Sequence, residues 1–70
     1  MSERIQITLN GEPTPVDAGL SVEGLLSALE LPRERIAVEL NRRVVRRQNW
    51  SEHVVCDGDR VEIVHFVGGG

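Results

Sequence analysis

The sequence contains no lysine; all eight of its basic residues are arginines. It has one cysteine, Cys56, and two aromatic residues, Trp50 and Phe66. Each shortage removes a class of protein. A single thiol cannot build an internal disulfide framework or a cysteine-only zinc site. A chain without disulfides fits a reducing, cytoplasmic setting. A formal net charge of −3 with two aromatics supplies neither the basic footprint nor the stacking platforms of a nucleic-acid binder. No apolar run approaches the roughly 18 residues of a membrane span, so no membrane role is expected. The opening MSERIQITLNG interleaves charged and apolar residues, so a signal peptide is not expected either. Seventy residues leave little room for a deep pocket beside a core, which argues against an enzyme in its own right. The plain reading of the missing lysine is codon usage in a GC-rich genome.

What is present suffices for one globular domain. The chain is 40% hydrophobic and 27% charged, both ordinary values. A domain this small buries only about 60% of its unfolded surface, so its margin of stability is thin.

Residues 4–10 read RIQITLN, in which Ile5, Ile7 and Leu9 alternate with polar neighbours as in a strand with one buried face. Asn10-Gly11 favours a type I′ hairpin turn, because both positions tolerate positive φ. Residues 12–18 contain Pro13 and Pro15, which restricts this segment to a sheet edge. Ser21 can cap a helix. Val22, Leu25, Leu26 and Leu29 then follow the spacing of one apolar helical face, and Pro32 is a stop, which predicts a helix over 22–30. Residues 36–41, IAVELN, read as a strand, Arg42-Arg43 as a short turn, and Val44-Val45 as a short returning strand. A turn or single 3₁₀ turn is expected over 48–51. Asp57-Gly58-Asp59 signals another turn. The β-branched run RVEIVHFV, 60–67, is expected to be a central strand, with Val61 and Ile63 on one face and Glu62, Val64 and Phe66 on the other. The order β-β-α-β-β-β with one amphipathic helix predicts a two-layer α+β domain. Strongly apolar first and last strands should lie side by side in its middle. That is the β-grasp, or ubiquitin-like, arrangement: a mixed sheet with one helix packed across it.

The sequence ends Gly68-Gly69-Gly70 directly after its most apolar strand. Glycines pass through narrow channels and rotate freely, and three of them extended reach ~10 Å. The globule would then present its α-carboxylate on a flexible arm. The competing reading is a frayed end.

The second half narrows the choice. AVELN at 37–41, VVRRQNW at 44–50 and DGDRVEIVHFVGGG at 57–70 resemble the ubiquitin-like sulfur carriers of thiamin biosynthesis, the ThiS family. The likeness covers the whole chain in length and element order. One departure is Arg46, which stands where the family often has proline in its V-V-P-R-x-x-W segment, before the matching Arg47. This puts the local loop geometry in question and leaves the tail intact.

The resemblance implies a single β-grasp domain over 1–67 with a flexible tail of Gly68, Gly69 and Gly70. It implies that an E1-like adenylating enzyme uses ATP and Mg²⁺ to convert the Gly70 carboxylate into an acyl adenylate. Sulfur from a cysteine desulfurase or sulfurtransferase displaces AMP and leaves a thiocarboxylate. Thiazole synthase then consumes that sulfur. The carrier is a co-substrate, binds no cofactor itself, contributes no catalytic residue and no metal ligand, and is expected to be a monomer when free. The small sulfur-carrying subunit of molybdopterin synthase shares fold and tail, and a non-carrier β-grasp binding module is a further alternative. A carboxylate activated in this way is attacked by amines, which gives the missing lysine a second, functional reading.

Val64 and Phe66, opposite the core side of the last strand, are expected to dock the partners. Arg42, Arg43, Arg46 and Arg47 form the one basic cluster and read as a solvated turn before they read as a steering patch. Cys56 reads as a small hydrophobe. His53 and His65 have no metal-ligand partner at useful spacing. Trp50 is expected to cover the core edge, and Asp57 and Asp59 to form turns.

Overall fold

A computed structural model describes residues 3–66. Strand β1 (Arg4–Leu9) turns through Asn10-Gly11 into β2 (Glu12–Asp17). Helix α1 (Val22–Ala28) follows, then β3 (Ile36–Leu40), β4 (Arg43–Val45), a 3₁₀ turn (Arg47–Asn49) and β5 (Arg60–His65). The sheet order is β2-β1-β5-β3-β4. The first and last strands are neighbours and run parallel, with Thr8 opposite Arg60 and Leu9 opposite Val61. The other three pairings are antiparallel, and β5 lies in the middle.

Local chemistry accounts for this arrangement. Asn10 and Gly11 have φ of 48° and 86°, as a type I′ turn requires. The antiparallel ladder alternates bonded and non-bonded pairs outward from that turn. Pro13 and Pro15, opposite Thr8 and Gln6, fall on the non-bonded positions. Their missing N–H groups therefore face the open edge, where no ladder bond is lost and no further strand can pair. The Gln6 and Thr8 N–H groups point the other way, to the Asp57 carboxylate (2.8 Å) and the Asp59 carbonyl (2.9 Å).

Ser21 caps α1, its Oγ accepting from the Gly24 N–H at 3.0 Å. The two preceding amides are satisfied by a loop instead: Val22 donates to the His53 carbonyl and Glu23 to the Trp50 carbonyl. The helix ends at Ala28, two residues short of the expected end, because its terminus closes as a Schellman motif. The Leu31 N–H reaches the Leu26 carbonyl and the Glu30 N–H the Ser27 carbonyl, with Glu30 at φ 55°. The chain has thus left the helix before Pro32.

The core lies between α1 and one sheet face. It is built from Val22, Leu25 and Leu26 of the helix, Ile7, Val16, Ile36, Val38, Val45, Val61 and Ile63 of the strands, and Trp50 and Val55 of the loop. Trp50 does more than cover an edge. It is 2% exposed, and its Nε1–H donates to the Val45 carbonyl at 2.9 Å. Among the described residues no helix is long and apolar enough to cross a membrane.

The β3–β4 turn lies one residue earlier than expected, at Asn41-Arg42, with φ of 53° and 69°, and Arg43 belongs to β4. Asn41 tolerates the left-handed region, and its side chain is held on both sides. Its Nδ2 donates to Asp59 Oδ1 and its Oδ1 accepts from the Arg60 N–H. The 3₁₀ turn likewise begins at Arg47 where a start at 48 was expected.

Arg46 resolves the doubt over this loop. It has φ −66° and ψ 145°, the dihedrals of a proline. Val45 before it is in a strand, as a residue preceding proline prefers to be. Bond alternation along β3–β4 turns the Arg46 N–H away from the ladder. Arg46→Pro is therefore expected to keep the fold and stabilise it by about 0.4–1 kcal/mol, through a stiffer unfolded chain. Chemical denaturation of the two proteins checks this, and a loss of stability would refute it.

Candidate functional site

Among the described residues, the sheet face opposite α1 carries no second layer. Strand β5 presents Glu62 and Val64 there, followed by Phe66. Val64 is 47% and Phe66 56% exposed. The sequence-expected pair thus shares the expected face at the end of the middle strand. The strand itself stops at His65, short of the expected end at Val67, and Val67, Gly68, Gly69 and Gly70 lie outside the described residues. One backbone bond continues the ladder past it: the Phe66 N–H donates to the Arg35 carbonyl at 2.8 Å. Arg35 has φ 58°, a left-handed conformation at the entrance to β3.

Register shows which residues meet across this face. Val64 is opposite half-buried Ala37, and Glu62 is opposite Glu39, which is in turn opposite Val44. Val44 is 66% exposed. Period-two alternation around buried Val45 was the signal that could have placed it here. Glu39 and Glu62 set two carboxylates across one rung, an arrangement that weakens a strand pair by tenths of a kcal/mol or more. The ion pair found among the described residues is elsewhere, between Arg4 and Asp17 at 3.7 Å. The face is therefore a mixed apolar and charged surface leading to the root of the tail.

Several of the other singled-out residues hold loops and turns in place. Arg47 leaves the basic cluster: its guanidinium lies 4.6 Å over the Trp50 ring and donates to the Arg33 carbonyl. Arg42, Arg43 and Arg46 are exposed around the turn. Asp59 clamps its own loop, with Oδ2 accepting from the Cys56 N–H at 2.7 Å and Oδ1 from Asn41. Asn10 was expected only as a turn residue, yet its Oδ1 also accepts from the Ile63 N–H at 2.8 Å, which extends the β1–β5 pairing beyond the end of β1. Cys56 is exposed beside the start of β5. His53 and His65 are exposed, and no group of three His, Cys, Asp or Glu side chains suited to a metal occurs among the described residues.

A mixed five-stranded sheet with parallel neighbouring terminal strands and one helix across it defines a β-grasp, ubiquitin-like domain. The sequence matches the ThiS family over residues 7–70. The chain belongs to that family. A crystal structure of a thiamine biosynthesis protein (ThiS) from Geobacter metallireducens superposes with a TM-score of 0.83 at 43% identity, covering 94% of this chain and all of that one. The sulfur carrier protein ThiS of Bacillus subtilis is 36% identical over 91% of this chain and 98% of its own length. A thiazole synthase of Magnetococcus marinus is 46% identical over 94% of this chain, which spans only 20% of that protein's length.

Proposed function

We propose that this chain is a sulfur carrier whose Gly70 carboxylate is adenylated and converted to a thiocarboxylate, which supplies sulfur for thiazole formation in thiamin biosynthesis. The observation that carries the reading is the family match running through Gly70, on a fold whose middle strand leads into the glycine tail. The chemistry explains why a tail suffices. A carboxylate is a poor electrophile, so a partner must join its oxygen to the α-phosphate of ATP, with Mg²⁺, releasing pyrophosphate and making AMP the leaving group. A persulfide then forms the C–S bond and expels AMP, and a second thiol cleaves the S–S bond of the resulting acyl disulfide, forming a new disulfide and leaving the thiocarboxylate. Every reacting group except Gly70 belongs to a partner. Gly68 and Gly69 let Gly70 enter those active sites, while Val64 and Phe66 hold the globule against the partner's surface.

Thiazole synthase is the consuming partner in this reading. Support comes from the M. marinus protein, in which a segment similar to this chain is part of a thiazole synthase. An E1-like adenylating enzyme and a desulfurase or sulfurtransferase complete the set.

The test is intact-protein mass spectrometry after incubation with the thiamin-pathway adenylating enzyme, ATP, Mg²⁺ and a desulfurase. One oxygen should be exchanged for one sulfur at Gly70, and a chain lacking Gly70 should show none. Transfer to thiazole synthase then separates this reading from the molybdopterin synthase subunit. An unchanged mass with active partners would refute the proposal.

A further inference from the structure

We propose that, once the terminal carboxylate of this chain is activated, no side chain of the same molecule can capture it irreversibly. The inference rests on the carrier reading above. Capture would matter because it is a dead end. An amine attacking the acyl adenylate forms a C–N bond and breaks the acyl C–O bond, releasing AMP and a proton. The resulting lactam is one water lighter than the free acid and no longer accepts sulfur. Composition removes this route for side chains, since the sequence has no lysine and its eight cations are guanidinium groups, which stay protonated at any physiological pH.

The fold removes the thiol route. Cys56 is exposed, so nothing buries it away from reagents. It is held at the start of β5, where Asp59 accepts its N–H and donates to its carbonyl. The tail leaves from the other end of that strand. From Arg60 to Phe66 the extended chain travels about 20 Å. The last four residues, folded fully back, reach no more than about 14 Å. The thiol therefore lies beyond the reach of its own C-terminus. His65 is exposed near the tail root. Attack by its imidazole gives an acyl-imidazole, which remains activated and returns the acyl group to water or sulfur. Serine and threonine hydroxyls are weak nucleophiles without an activating base.

The experiment uses the whole chain carrying a Gly70 α-thioester of 2-mercaptoethanesulfonate, made by thiolysis of an intein fusion, so that no partner enzyme is needed. An internal nucleophile would displace the thiol, breaking C–S and forming the new bond to the acyl carbon. Mass spectrometry should show the parent hydrolysing to the free acid with no species one water lighter. Arg35→Lys places an amine on the exposed residue whose carbonyl holds Phe66, and lactam should become its major product. Arg4→Lys is the remote control. Register with β5 sets it about 33 Å from Phe66 along the strand direction, and it should behave as the parent does. Circular dichroism verifies that both variants are folded. A water-lighter parent, or an Arg35→Lys protein that yields only free acid, overturns the proposal. Release of pyrophosphate by the adenylating enzyme acting on the parent reports separately on the carrier reading, so the two failures are distinguishable.

Discussion

Trp50→Ala is expected to remove about 3–5 kcal/mol of stability, the range for deleting a buried aromatic ring. A domain of this length has roughly 4–10 kcal/mol in total, so the variant should sit close to unfolding. The melting temperature should fall by on the order of 20 °C. Three losses combine. The ring is 2% exposed in a core that has no other aromatic side chain. Its Nε1–H satisfies the Val45 carbonyl at the end of β4. Arg47, stacked on the ring, ties the 3₁₀ turn to the Arg33 carbonyl. Trp50→Phe keeps much of the packing and forfeits the hydrogen bond, so its loss should be smaller. Far-ultraviolet circular dichroism is the suitable probe, because both variants lack the only tryptophan. An alanine variant melting within a few degrees of the parent would refute the assignment of Trp50 as the anchor of this loop.

Phe66→Ala is expected to leave the fold intact and weaken coupling to the activating partner by about 2 kcal/mol, roughly 30-fold, the size of an interface hot spot. Val64→Thr, which keeps the branched shape suited to a strand, should act in the same direction by a smaller amount. The loss should appear chiefly in the KM for the carrier, with chemistry on the bound tail little changed, because Val64 and Phe66 precede Gly70 in the chain by six and four residues. Val54→Thr is the control. Val54 is 54% exposed but bridges to Ser21 at the start of the helix, away from the β5 face. Its substitution should leave thiocarboxylate formation unaltered. Equal KM values for all three variants would move docking off this face.

Much of this molecule was legible in the sequence because short-range chemistry and long-range packing agree in it. The alternation of Ile5, Ile7 and Leu9, the Asn10-Gly11 turn and the Ser21 cap each specify one local geometry, and each occurs as expected. The edge position of β2 followed from two prolines that cannot donate. Boundaries were less legible where a residue adopts a conformation its type disfavours. Glu30 at φ 55° ends the helix early, and Arg42 at φ 69° takes a turn position that Gly would fill more cheaply. Such residues carry no signal of their own; the Schellman bonds and the Asn41–Asp59 contact impose them. At the candidate site, Val64 and Phe66 were readable from alternation along one strand. The Glu39–Glu62 rung and the approach of Val44 required register, which depends on which strands meet and how far each is shifted.

The central position of β5 bears on how the protein is made. Both neighbours of β5, β1 and β3, are synthesised long before it and cannot close on each other without it. A nascent chain interrupted before Arg60 lacks the middle of its sheet and leaves the helix stripe without a full floor. It would remain open to proteolysis. Pairing of β1 with β5 also makes folding a long-range event that waits for β5 to be made. The glycine tail follows that last strand within a few residues. A copy that folds is thus one whose synthesis has passed β5, and clearance of unfolded chains doubles as an inspection for chains stopped before it.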